Sequence, residues 1–138
     1  MTKRSFDPVV RTQSDVEQMW RQLIQPLGFS GHSIWMVVIE DDRPLRQVLE
    51  IDEAFEPPEG EDVTAFGRLL GQLASPGSRF AFLRSRPGAG GPDAVDRAWA
   101  RVLYDACRAA GAAAEVVHLA HDQDIMPIPL DDLLAEPA

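Results

Sequence analysis

The sequence predicts a mixed α/β fold, of the α+β kind, in which helices flank a mixed β-sheet in a three-layer-like arrangement. Apolar residues recur at helical spacing in three segments, and short β-rich apolar runs lie between those segments. Two of these runs follow each other across the turn at 41–44, which predicts a hairpin and therefore a sheet that is not all parallel. The expected order of elements is α-β-β-α-β-α-β.

Each predicted helix has a start or stop signal. The first shows apolar residues at helical spacing and is expected to begin at a capping box formed by Ser14 and Glu17. The second covers about 61–73 and opens with two acidic residues, which favour the positive end of the helix dipole. The third is expected to begin after the N-cap Asp93 and to end at Gly111.

The strands are predicted from short runs rich in β-branched and aromatic residues that are bounded by turn residues. Pro127 restricts the last run to an edge of the sheet, because proline cannot donate a backbone hydrogen bond to a neighbouring strand. One or two helical turns are expected over 130–134. The predicted strands are 33–39, 45–51, 79–83, 114–120 and the edge segment 125–128.

Length and charge limit the classes of protein that remain. A chain of 138 residues suits one domain, which we place at 13–134, between an N-terminal arm at 1–12 and a tail at 135–138. The composition, 45% apolar and 25% charged, is typical of a soluble globular protein. The net charge of −9 disfavours nucleic acids and anionic membrane surfaces as partners, because both are bound through Lys and Arg.

Cysteine content and apolar runs bear on the cellular setting. Cys107 is the single cysteine, so no internal disulfide is expected, which is typical of a reducing, cytoplasmic environment. Its place on the third helix predicts a packing role in the core. No run predicts a membrane span or a secretory signal. The acidic stretch at 40–62 is interpreted as a solvated face.

The segment 83–97, LRSRPGAGGPDAVDR, carries the most specific pattern in the chain, since it follows an apolar strand and opens a strong helix. It resembles the active-site loop of RadC-like proteins of the JAB/MPN (JAMM) metalloprotein superfamily. In that family the strand ends in His-x-His-Pro, and a glycine-containing loop and Ser-x-x-Asp follow. Here Arg84 and Arg86 stand at the histidine positions, Asp93 at the serine position and Asp96 at the aspartate ligand position.

As an order of elements, the resemblance covers about residues 12–120. It implies a JAB/MPN fold, with Glu50 nearest to the family's catalytic glutamate and His118 near a further family pair of Asp and His. It also implies a degenerate metal site, because a guanidinium offers only donors and cannot bind a cation. We therefore expect no metal, no cofactor and no metal-dependent hydrolysis at this site. The degenerate positions are Arg84, Arg86, Asp96 and Glu50.

Two interpretations of the arginines remain open. In the first, the guanidinium groups replace the lost metal and hold the loop by pairing with Asp96 and with Glu50. In the second, the loop binds a phosphate or carboxylate, because glycines allow close approach and a helix N-terminus directs amides at an anion. Asp96 also has a simpler explanation as the N3 acid of a capped helix. The candidate anion-binding residues are Arg84, Arg86, Gly88, Gly90 and Gly91.

A second group of metal-capable side chains follows the last predicted buried strand. Two histidines three residues apart on a strand point to opposite faces, so a turn would be needed to bring them together. His32, just before the first strand, is expected to be exposed. The residues of this remote metal alternative are His118, His121, Asp122 and Asp124. The tryptophans expected in the core are Trp20, Trp35 and Trp99.

The leading hypothesis is therefore a non-catalytic RadC-like JAB domain, a pseudoenzyme that acts through protein interaction, including self-association. The alternative is a protein that binds a small anionic molecule at the Arg84 and Arg86 loop. A metal-dependent hydrolase with a relocated site is the remote third hypothesis.

Overall fold

A mixed β-sheet with helices on both faces forms the protein, and a computed structural model describes residues 9–24, 27–51, 58 and 60–134. The predicted mixed α/β class is confirmed, and so is the order of the first seven elements. Within the described ranges the helices are α1 (Gln13–Leu23), α2 (Gly60–Leu73), α3 (Ala94–Ala110) and α4 (Leu130–Leu134). The strands are β1 (Ser33–Glu40), β2 (Arg43–Ile51), β3 (Arg79–Ser85), β4 (Ala113–Ala114), β5 (Val117–Ala120) and β6 (Ile125–Ile128).

The sheet has the strand order β2-β1-β3-β5-β6, and β4 also pairs with β3. β1 is antiparallel to both β2 and β3, whereas β3 and β5 are parallel. The carboxyl ends of β2, β3 and β5 therefore meet at one end of the sheet. That end carries the glycine-rich loop after β3, so the topology places the candidate site there.

Two apolar cores lie on the two faces of the sheet. On one face α1 buries an apolar stripe against the sheet, and on the other face α2 and α3 cover a larger core. Phe66 of α2 meets Trp99 of α3 edge to face, with ring centroids 6.3 Å apart. The α1 stripe consists of Val16, Met19 and Trp20. This arrangement confirms the predicted three layers.

The start of α1 differs from the prediction. The capping box is formed by Thr12 and Asp15, two residues before the predicted pair of Ser14 and Glu17. The Thr12 hydroxyl accepts from the Asp15 amide at 3.1 Å, and the Asp15 carboxylate accepts from the Thr12 amide at 3.0 Å. Both pairs fit the pattern of a hydroxyl and an acid three residues apart, and sequence alone does not choose between them.

Two strands also differ from the prediction. β3 extends to Ser85, since its last residues still pair with β1 and β5. The predicted strand at 114–120 is divided into β4 and β5. The edge position of 125–128 and the short helix at 130–134 are confirmed. Among the described residues, no helix combines the length and apolar character that crossing a membrane requires.

Candidate functional site

Arg84 and Arg86 lie at the carboxyl end of β3. Arg84 pairs with Ile34 of β1 and Leu119 of β5, which both belong to the core under α2 and α3, so Arg84 faces that core. The Arg86 amide continues the ladder by donating to the Ala120 carbonyl at 3.1 Å. Arg84 is 1% exposed and Arg86 is 6% exposed. Two charges buried to this extent require compensation within the protein.

Asp96, in the first turn of α3, supplies the compensating carboxylate and is itself fully buried. Its Oδ1 accepts from Nε of Arg84 and from Nε of Arg86, both at 3.0 Å. Its Oδ2 accepts from Nε of Arg86 and from the Asp93 amide, both at 2.9 Å. Three N–H groups thus make four contacts with this carboxylate, because the Nε–H of Arg86 is shared between its two oxygens. The predicted pairing of both arginines with Asp96 is present.

The N-terminus of α3 is closed by its own acids. The Asp93 carboxylate accepts from the Asp96 amide at 2.8 Å, which confirms Asp93 as N-cap and Asp96 as the N3 acid. Asp93 Oδ2 also lies 3.8 Å from Nε of Arg86. Burial opposes ionisation of Asp93, but the Asp96 amide and the charge of Arg86 outweigh it and lower the pKa of Asp93. Two acids thus balance two guanidinium groups.

The glycine-rich loop wraps around the guanidinium of Arg86. Nη1 of Arg86 donates to the Pro87 carbonyl at 3.0 Å, and Nη2 of Arg86 donates to the Gly91 carbonyl at 3.3 Å. Gly88 has a φ of 105°, and a Cβ at this position would lie 3.1 Å from Nη1 of Arg86. The loop therefore requires glycine at position 88 for its backbone conformation and for its close approach to Arg86.

Asp122, in the loop after β5, holds the glycine-rich loop from the other side. Its carboxylate accepts from the Gly88 amide at 2.9 Å and from the Phe29 amide at 3.0 Å. These backbone hydrogen bonds lower the pKa of Asp122. Because β3 and β5 are parallel neighbours, the loops that follow them lie side by side. Asp122, a member of the second polar group in the sequence, therefore belongs to the site around the glycine-rich loop.

His121 ties the same two loops together and is 2% exposed. Its Nδ1 accepts from the amides of Gln123 at 3.1 Å and Asp124 at 3.2 Å. Nδ1 is thus unprotonated, and Nε2 carries the proton that it donates to the Gly90 carbonyl at 2.8 Å. His121 acts as a structural link in this arrangement.

His32 also belongs to the cluster, contrary to the prediction that it would be exposed. It is half-buried, and its Nδ1 accepts a hydrogen bond of 3.0 Å from Nη2 of Arg84. Burial and the nearby charges of Arg84 and Arg86 lower the pKa of His32, so the ring is held neutral. Its position just before β1, which pairs with β3, is the sequence signal that could have placed it beside Arg84.

Glu50 does not share the face of the sheet on which the arginine cluster lies. Glu50 pairs with Trp35, and Trp35 pairs with Leu83. Because Leu83 directly precedes Arg84, and successive residues of a strand point to opposite faces, Glu50 and Arg84 lie on opposite faces. The expectation that Glu50 joins Asp96 in pairing with the arginines is therefore corrected by the register of the strands.

The geometry gives no support to the remote metal alternative. His118 lies on the α1 face of the sheet, whereas His121 and Asp122 hold the glycine-rich loop. Asp124 accepts instead from Nη2 of Arg21 at 3.1 Å. Among the described residues, no group of three or more His, Cys, Asp or Glu side chains is arranged to hold a metal ion.

The arrangement is a buried ion cluster in which the Nε groups of both arginines and the Gly88 amide already have acceptors within the chain. Arg84 and Arg86 donate to Asp96, and the Gly88 amide donates to Asp122. A phosphate or carboxylate that binds to the Nε groups of these arginines or to the Gly88 amide would have to displace one of these two carboxylates. The geometry thus favours the first interpretation of the arginines, and anion binding stays a prediction.

Comparison with known proteins adds no relative for this site. No family model, no curated protein and no solved structure matches the chain.

Proposed function

We propose that the chain is a RadC-like JAB/MPN domain that has become non-catalytic and acts through protein interaction. The observation that carries the proposal is the buried cluster in which Asp96 accepts from Arg84 and Arg86. In the family pattern these three positions belong to metal ligands. Here the Arg84 and Arg86 side chains supply positive charge in place of a metal, but a guanidinium cannot activate a bound water as a catalytic metal does.

The place of the cluster in the fold supports this proposal. It lies where β3 enters the glycine-rich loop and where α3 begins. Ligand sites in α/β sheets concentrate outside the carboxyl ends of strands. An ion cluster that fills such a position suits a site whose earlier chemistry has been lost and whose present role is to hold the loop.

The surface that we assign to protein interaction is the edge formed by β2 and the end of α2. Among the described strands, β2 pairs with β1 alone. Leu45 of β2 and Leu73 of α2 are 41% and 38% exposed and line one groove of about 80 Å³, together with Met36, Val38 and Leu49. A strand edge with exposed apolar side chains is a template for pairing with another chain. We assign this edge to self-association.

The relation to a metal site can be tested by restoring the missing ligands. In the double variant Arg84→His/Arg86→His, two imidazoles and Asp96 would provide the three protein ligands of a catalytic zinc site. We expect isothermal titration calorimetry to show about one Zn²⁺ bound per variant chain and none bound to the wild-type protein. Adding Asp96→Asn should abolish the binding.

Two results would contradict the proposal. One is a double variant that is folded by circular dichroism and binds no zinc. The other is a wild-type chain that retains a stoichiometric metal after dialysis without chelator.

Self-association through the β2 edge is tested by analytical ultracentrifugation over a wide range of concentrations. We expect the wild-type chain to associate and Leu45→Lys to weaken the association, because a charge at a strand edge opposes pairing. Leu130→Lys is the matched control, since Leu130 is 40% exposed on α4, outside this groove. A wild-type chain that stays monomeric throughout would exclude this use of the edge.

A further inference from the structure

The interface between α1 and the sheet buries two polar atoms that lack a partner. Among the described residues, Nε1 of Trp20 and Nε2 of His118 are the buried side-chain nitrogens without a hydrogen bond. Trp20 lies on the buried face of α1, and His118 pairs with Leu83, which belongs to the core beneath α1. A buried polar atom without a partner favours an opening that admits water. Opening of this interface would give both nitrogens a hydrogen bond.

His118 is fully buried, and its ring can take up a second proton only at Nε2. Its Nδ1 already carries a proton, which it donates to the Val116 carbonyl at 3.0 Å. A proton at Nε2 would create a buried charge without an acceptor, and such a charge is unfavourable. Burial accordingly lowers the pKa of His118. Protonation of the ring therefore requires that water reach it.

The charged groups near His118 come from α1 and from the turn before β6. Burial has the largest influence on the ring, while Glu17 favours a positive charge there and Arg21 opposes it. Asp124 accepts from Arg21 at 3.1 Å, so the charges of the helix and the turn offset each other. The residues paired with His118 on β3 and β6 carry no charge and are Leu83 and Pro127.

Partly exposed polar groups tie α1 to the turn before β6. Nη2 of Arg21 donates to Asp124 and, at 3.4 Å, to the Ile125 carbonyl. The side chains of Arg21 and Asp124 are both accessible to solvent, and ion pairs of this kind contribute little to stability. The core beneath α1 is also separate from the larger core under α2 and α3. Helix α1 can therefore open while the larger core stays intact.

We infer that α1 is a strap that opens locally at mildly acidic pH, and that protonation of His118 favours the open form. In the open form water reaches the ring, which takes up a proton at Nε2, and the indole of Trp20 donates to water. Opening uncovers apolar residues of the sheet, which include Val37, Ile39 and Leu83. The strap thus couples acidification to the exposure of an apolar surface.

Proton linkage gives the direction and the size of the effect. The closed form holds His118 neutral, whereas the open form restores its ordinary pKa of 6.5, so below that value the open form binds more protons. The opening equilibrium is therefore independent of pH well above 6.5. Between about pH 7.5 and about pH 5.5 we expect it to increase about tenfold.

This inference goes beyond the proposed function, because it requires neither a lost metal site nor the apolar groove beside β2. The zinc titration and the ultracentrifugation can fail without affecting it. Its own failure would in turn leave both of those proposals standing.

The test is hydrogen–deuterium exchange of the full chain, measured by mass spectrometry at about pH 7.5 and about pH 5.5 and corrected for the intrinsic exchange rate at each pH. We expect the amides of α1 to be less protected than those of α3 at both pH values, because local opening costs less than global unfolding. Acidification should lower the protection of α1 about tenfold.

Two variants remove the titrating ring, and both should abolish this fall in protection. His118→Leu places an apolar side chain at the site, and His118→Gln keeps a polar group that cannot take up a proton. The matched control is His32→Gln. His32 also has a lowered pKa, but it lies beside Arg84 on the other face of the sheet, where opening of α1 does not uncover it. This control should keep the tenfold fall.

Three results would overturn the inference. Equal protection of α1 and α3 at both pH values would mean that α1 opens only when the whole chain unfolds. A wild-type chain whose α1 protection does not fall on acidification would exclude the role of pH. A wild-type fall in the folded His118 variants would assign the proton to another group.

Discussion

Arg84 and Ser85 are neighbours on β3, yet they belong to two opposite environments. Arg84 faces α3 and lies in a closed cluster in which Asp96 accepts its hydrogen bond. Ser85 faces the other side of the sheet and lines an open pocket together with Glu50. Because successive strand residues alternate between faces, one step along the chain separates a buried ion cluster from a polar pocket on the other face of the sheet.

The comparison shows that a conspicuous motif can be a structural element of the fold. The arginines and glycines at the end of β3 and in the loop after it form the most distinctive segment of the sequence, but both guanidinium groups donate to acceptors within the chain. The serines that line the pocket form no motif. The two regions differ in burial, since Asp96 is fully buried whereas Glu50 is exposed, and the role of the buried cluster can be probed by removing one partner at a time.

The largest effect is expected from Asp96→Asn. This variant leaves Arg84 and Arg86 buried with no carboxylate between them, and it should lower the free energy of unfolding by about 3–5 kcal/mol. Urea denaturation followed by circular dichroism measures the change. The control is Asp105→Asn on the same helix, which removes the acid of a pair with the largely exposed Arg108 and should cost less than about 1 kcal/mol.

Equal and small losses of unfolding free energy in these two variants would show that the arginine cluster does not stabilise the fold. In that case the two guanidinium groups would tolerate the loss of Asp96, and the anion-binding interpretation of the loop would regain weight.

An intermediate effect is expected from Gly88→Ala. The φ of 105° is unfavourable for alanine, and the added Cβ would press on Nη1 of Arg86 at 3.1 Å, so we expect a loss of about 2 kcal/mol in thermal or urea unfolding. Gly90→Ala is the matched control, since Gly90 has a φ of 85° in the same loop with open space around it. If both variants lose the same stability, the contact with Arg86 has no energetic weight.

The fold could be predicted from the sequence because its signals are local. Helical spacing, the capping acids Asp93 and Asp96, and the proline of the edge strand depend on neighbours along the chain. The pairing of Arg84 with Asp96 could also be predicted, because the two residues are close in sequence, one at the end of a strand and the other in the first turn of the helix that follows.

The rest of the site depends on which strands are neighbours and in which register they pair. Joining Asp122 to the glycine-rich loop requires that β5 lie parallel beside β3. The face of Glu50 depends on the register of the hairpin, in which a shift of one residue moves every side chain to the other face. The register also decides the position of Trp35. This residue was expected in the core, but it is half-buried and lines the polar pocket.

The smallest expected effect concerns the α1 face, where His118 is fully buried. Its Nδ1 donates to the Val116 carbonyl at 3.0 Å, while its Nε2 has no hydrogen-bond partner among the described residues. Burial lowers the pKa of His118 below its ordinary value of 6.5. The unfolded chain therefore binds the proton more readily, so stability is unaffected well above that value and falls as the pH drops through it.

We therefore expect the free energy of unfolding to decrease from about pH 7.5 to about pH 5.5, with a shallower decrease in His118→Leu. His32, whose pKa is also lowered by burial and by Arg84, contributes to the slope that remains. Urea unfolding at a series of pH values measures both slopes. Identical slopes would mean that the α1 face accepts the charge of His118 at no cost. The two faces would then differ less than the contrast between Arg84 and Ser85 implies, because each would accommodate a buried positive charge.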